Sequence, residues 1–142
     1  MARLRATRAS PPGLVATEDD RRETYSAALQ QFDELLLAAS TVSPISRPLP
    51  LYYAVHQAGK AIAAALVPGD WSSIGHGHGL GQDRDAPVQW QANILAYRVI
   101  PLRRGIFRAV ASALGNEQLT GSVEVGALWA ALPEVSSPVS ED

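Results

Sequence analysis

The chain has 142 residues, of which 46% are apolar, with a net charge of −2 and no cysteine. That length fits one domain with a real core, and the near-neutral charge gives no general electrostatic case for nucleic acid or an anionic membrane surface. The missing thiols exclude disulfides, thiolate metal centres and a cysteine nucleophile, which fits a cytoplasmic protein.

Residues 1–16 contain Pro11, Pro12, Gly13 and scattered arginines, and read as a disordered tail. Their apolar runs are too short for a secretory or transit signal. Thr17, followed by Glu18, Asp19 and Asp20, predicts a capped helix start. The helix should run to about Ala39. Its apolar face is Tyr25, Ala28, Leu29, Phe32, Leu35, Leu36 and Ala39, while Arg21, Arg22, Gln30, Asp33 and Glu34 fall mainly on the other face.

Pro44 and Pro48 make residues 40–48 a loop, and Pro50 suits the first turn of a second helix over about 49–66. This helix is apolar almost all round, which predicts burial on most sides. Gly59 and the nearby alanines should admit a neighbouring helix at close range. Pro68-Gly69-Asp70 ends it. No segment is apolar for long enough to cross a membrane.

Residues 71–87 read as a glycine-rich loop. Over Val88–Ile100 the alternation of apolar and polar residues predicts a strand, with a shift of frame near Asn93. Arg103-Arg104-Gly105 should be a turn, Gly105–Leu114 a short helix, and Val123–Val125 a short strand. Gly126–Leu132 should form one or two helical turns, ended by Pro133. The last residues are polar and acidic. The fold class expected is mainly α, a helical domain with a small β element in the C-terminal half. The boundaries are a tail at 1–16, a domain at 17–135 and a disordered acidic tail at 136–142.

Three groups of residues could carry chemistry. Tyr52, His56 and Lys60 recur at every fourth position along the second helix, with Gln57 beside them. Unpaired burial of such groups costs about 1–3 kcal/mol each, so they need water, a polar neighbour or a ligand. Either Tyr52 and His56 are satisfied core residues and Lys60 reaches to solvent, or His56 transfers protons or ligates and Lys60 binds an anion. His76 and His78 flank Gly77. No nearby Asp, Glu or His supplies a convincing third ligand, although Asp70, Asp83 and Asp85 lie on the flanks, which argues against a metal and for a structural turn with one buried histidine. Arg98, Arg103, Arg104 and Arg108 cluster near the start of the short helix. They could hold a phosphate or carboxylate, or form a solvated basic turn.

The blocks PLPLYYAVHQAGKAIAAAL, GHGL, RGIFRAVASALG and SVEVGALWAALPEV resemble the YaaC-like family of bacterial proteins. The resemblance covers about residues 20–135. Members are often longer, so it implies a short or truncated member. The family is largely uncharacterised and implies little chemistry. The tyrosine-bearing helix followed by a histidine turn also resembles HEPN domains, helical modules of RNases and toxin–antitoxin systems. Those nucleases carry an arginine and a histidine separated by four to six residues. Here Arg47 precedes His56 with eight between, so their RNase site is not carried over.

The function expected is a non-catalytic binding or assembly module that associates with an unknown protein partner or with itself. The alternative is a HEPN-like RNA- or nucleotide-processing protein using His56, His76 or His78, with Tyr52, Gln57, Lys60, Arg98, Arg103 and Arg104 as ligand-binding candidates. No cofactor, metal or membrane is expected. Convergence of His56, Lys60, His78 and Arg104 in one open pocket would favour the alternative.

Overall fold

The computed structural model describes residues 6–72, 77–86 and 91–132. Its frame is a hairpin of two long helices, α1 (Asp19–Thr41) and α2 (Pro48–Leu66). They pack together along most of their length. The core joins Tyr25, Ala28 and Leu29 of α1 to Ala61, Ala64 and Ala65 of α2, with Trp71 against it. Alanines at this seam let the backbones approach closely, so area is buried through many small contacts.

Val15 is fully buried in the same core, on a 3-10 turn at Gly13–Ala16. A Cβ on Gly13 would lie 2.4 Å from the Ala65 carbonyl oxygen. Packing therefore begins upstream of the boundary drawn at Thr17. Thr17 is also not the helix cap. Its hydroxyl donates back to the Leu14 carbonyl, and Glu18 occupies the cap position without a side-chain cap bond.

Arg21 departs furthest from the sequence pattern. It is only 2% exposed. Its Nε donates to Glu18, Nη1 to the carbonyls of Ala64 and Val67, and Nη2 to that of Gly69. The guanidinium lies 5.1 Å from the Trp71 ring centroid. It caps the negative end of α2, where the last carbonyls lack intrahelical donors. Arg47 does the same for α1, with Nε donating to the Ala39 carbonyl. Periodicity alone assigned Arg21 to the solvent face, because its carbonyl partners lie more than forty residues away.

The late part is a small antiparallel sheet, β1 (Leu80–Gln82), β2 (Arg98–Pro101) and β3 (Val123–Glu124), in the order β1-β2-β3. Leu80 faces Pro101 across β1–β2, and Arg98 faces Glu124 across β2–β3. Helix α3 (Ile106–Ala113) packs on α2, and the short α4 (Val125–Ala130) follows β3. The fold is thus mainly helical with a small β element in the C-terminal half. The strand predicted over 88–100 shortens to four residues. Residues 87–90 lie outside the described residues, and Ile94–Ala96 form a 3-10 turn capped by the Asn93 side chain. That capping bond competes locally with a ladder.

Helix α2 is not buried on most sides. Its second half is, from Gly59 to Ala65, where α1, α3 and the 13–16 turn all meet it. Its first half has α1 on one side and His78 against Tyr52 and His56, and stays open elsewhere. Leu49 is 63% exposed, Tyr52 46% and Val55 70%. Tyr53 and Leu51 are exposed as well. All-round apolarity does not report burial when the fold supplies too few neighbours to cover it.

Candidate functional site

Two glycines on different loops build the site. Gly79 has φ +83° and Gly105 has φ +121°, in the region that favours glycine. A Cβ on Gly105 would lie 2.4 Å from the Gly79 nitrogen, so the two backbones cross in direct contact. The Leu102 N–H donates to the Gly79 carbonyl, and those of Ile106 and Phe107 donate to Gly77 and His78. The turn at 77–79 therefore caps α3 and holds His78 over α2. Gly59 completes the approach, since a Cβ there would lie 2.9 Å from Ile106 Cγ1.

Between α2, this turn and α3 lies an open cleft of about 500 Å³. Leu80, Ile106, Phe107 and Val110 give it apolar walls, and Tyr52, His56, His78 and Asn116 bring polar atoms to it. The His56 and His78 ring centroids are 4.8 Å apart, and those of Tyr52 and His78 are 5.1 Å apart. Tyr53 meets Tyr52 edge-on. Burial lowers the pKa of His56 below its ordinary value, and the neighbouring Lys60 and His78 lower it further. The Tyr52 phenol is raised, first by desolvation and then by Tyr53. Neutral imidazole and neutral phenol are thus the favoured forms, which suits hydrogen bonding and stacking on a half-apolar partner.

Tyr52 and His78 are exposed rather than core residues, so neither is the buried histidine or satisfied core tyrosine expected from the pattern. His56 is half-buried. The line of polar residues on α2 divides between two surfaces. Gln57 and Lys60 line a shallow cleft of about 250 Å³ against α1, beside Glu23, Thr24 and Gln31. His76 lies outside the described residues.

The arginine cluster also divides. Arg98 ties β2 to β3: its Nε donates to the Ser122 hydroxyl, Nη2 to the Ser122 carbonyl and Nη1 to Glu124. Ser122 and Arg98 in turn hold the Asp83 carboxyl below its usual range, the Ser122 hydrogen bond contributing most. Arg103, Arg104 and Arg108 line a different cleft on the opposite side of α3. The first N–H groups of α3 bond backbone carbonyls of the 77–79 turn, so the helix end does not present them to an anion.

The four side chains named as discriminators therefore do not meet in one place. His56 and His78 converge, while Lys60 and Arg104 face other clefts. The cleft lining holds no carboxylate among the described residues, so neither histidine has an acid there to orient it for proton transfer. The same residues contain no cluster of three or more His, Asp or Glu able to hold a metal. Sequence reasoning missed the apolar walls from α3 and the Gly79–Gly105 crossing. The positive-φ glycines were visible as loop punctuation, but their pairing is a long-range fact.

No curated protein and no solved structure matches the chain. The model of the family described as YaaC-like Protein matches residues 10–141. That match includes every element described above, among them the 13–16 turn that carries the buried Val15. The chain belongs to the YaaC-like family.

Proposed function

We propose that the chain is a non-catalytic assembly module that self-associates through the first half of α2 and the adjoining His56–His78 cleft. The observation that carries this is the exposed apolar face of α2, with Leu49 63% and Val55 70% accessible on a well-formed helix. Contiguous apolar exposure of this kind marks association surfaces. From Pro48 to Gly59 the helix has no Asp, Glu, Lys or Arg. A second copy can therefore lie against it without opposing like charges, and a twofold contact of the same patch on both chains is self-complementary. The cleft beside it accepts an apolar side chain from that copy, with Tyr52 and His78 at its mouth.

The test is Val55→Asp. Val55 is largely exposed, so the fold should lose less than about 0.5 kcal/mol. A charge at the centre of an apolar interface should weaken association by roughly 10-fold to 1,000-fold, read by light scattering at a series of concentrations. If the variant and the parent chain show the same mass at every concentration, this face is not the contact.

A further inference from the structure

His56 and His78 lie on the face through which self-association is proposed, and their ring centroids are 4.8 Å apart. They come from separate elements, His56 from α2 and His78 from the 77–79 turn that caps α3, so it is the fold that brings them together. His78 is exposed and His56 half-buried, which leaves the pair open to protons in a single chain.

The surroundings are poor in counter-charge. On α2 the titratable neighbours are Tyr52, which stacks on His78 and on Tyr53, and Lys60, one turn beyond His56. Helix α3 brings Ile106, Phe107 and Val110, and β1 brings Leu80. Glu117 follows Asn116 but does not line the cleft, and the acid that α1 supplies, Glu23, lies in the other cleft with Lys60. A second copy laid on the same patch adds no acid from α2, because Pro48 to Gly59 contains none. Covering the cleft also takes water from His56. Burial is the influence that already holds its pKa below the ordinary value, ahead of the charges of Lys60 and His78. Two imidazolium groups in contact repel, and each loses water there with no carboxylate among the described lining residues in return.

We propose that acid releases the self-associated form: protonation of His56 and His78 places like charges in the covered cleft, so the chain associates near neutral pH and separates as the pH falls. This rests on the association through α2 proposed above and adds its regulation. The associated form holds fewer protons than the separate chains, so each proton taken up weakens association. A twofold contact brings one pair from each copy, which steepens the response. The charge of the whole chain predicts the reverse. It is −2 with neutral histidines, so protonating the three histidines carries it through zero, where repulsion between copies is least. Bulk charge therefore favours association in acid, and the histidine pair opposes it.

The test is sedimentation equilibrium of the full chain at about pH 7.5 and about pH 5.5 and one ionic strength, with circular dichroism at each pH to follow the fold. The Kd should be weaker at the lower pH by about tenfold or more. In the double variant His56→Gln, His78→Gln the ratio of the two Kd values should shrink to about twofold or less, whatever the Kd at neutral pH. A second reading uses the unaltered chain alone. By NMR, the pH midpoints of the His56 and His78 ring protons should fall between about 20 µM and about 500 µM chain, because association disfavours the charged imidazoles. Association that is as strong or stronger at the lower pH would overturn the regulation and leave the association itself standing. So would midpoints that do not move with concentration, or an acid loss that the double variant keeps in full. No association at either pH would overturn the proposed function and this regulation with it.

Discussion

Arg21 shows how a charged residue comes to belong inside. Taking a guanidinium out of water is costly, and the compensation here is four hydrogen bonds plus the face of Trp71. Glu18 is half-exposed, so that ion pair is solvent-screened and the carbonyls carry more of the effect. Arg21→Ala should leave the α2 carbonyls buried without donors and lower stability by about 2–4 kcal/mol in a urea titration. Arg22→Ala, whose partner Asp19 is fully in solvent, should change it by less than about 0.5 kcal/mol. His56 makes a prediction about pH. Its folded pKa is below its unfolded value, so the unfolded chain binds the proton more readily. The stabilising contribution is present above about pH 6.5 and is lost as pH falls through the lowered folded value. Melting temperature should therefore drop between about pH 7 and pH 5, and His56→Gln should flatten that part of the curve. An unchanged slope in the variant would assign the drop to other groups. Asp83 acts in a separate, more acidic window. Its carboxyl is held low, so its contribution is lost only as pH falls below the ordinary carboxylate range.

At the scale of elements, the glycines separate two causes of strain. Gly105 has both a positive φ and a neighbouring backbone where a Cβ would go, whereas Gly115 has φ +70° with open space around it. Gly115→Ala should cost about 1 kcal/mol from conformation alone. Gly105→Ala should cost about 3 kcal/mol or more, because the 77–79 turn must move off α3. Equal losses in thermal unfolding would mean that the crossing is not tight. Most elements were legible in the sequence for physical reasons. The stripe Tyr25, Ala28, Leu29 gave α1, and Pro50 gave the first turn of α2, although the helix takes in Pro48, which the pattern places in the loop. The failures share a cause as well. Asn93 caps a 3-10 turn where alternation predicted strand, and Thr17 bonds backward where a forward cap was predicted. In both cases a short-range side-chain bond decided between two conformations that the residue pattern allows equally.

At the scale of the whole molecule, the site was half legible. The sequence marks Tyr52, His56 and His78 by their types, and the fold brings these three together. It could not show that Lys60 and Gln57 turn to another surface, or that Arg98 is used by the sheet while Arg103 and Arg104 are not. Those divisions depend on which elements become neighbours, and a single helix period carries no such information. The same limit explains the misjudged burial of α2. Helix α3, the 13–16 turn and Trp71 all gather at one end of the hairpin, leaving the other end two helices thick. Leu37, Ile45 and Leu49 are exposed at that thin end, and Val55 is exposed beside the α3 cleft. Apolar surface of this extent is unfavourable in water, and in the self-association proposed above a second hairpin would supply the missing layer.

Sedimentation equilibrium of the unaltered chain tests that claim most directly. Across about 5–200 µM the fitted mass should rise from that of one chain towards twice that value, as expected for a micromolar dissociation constant. A mass that stays at one chain throughout would contradict self-association and leave the open face of α2 without its proposed occupant.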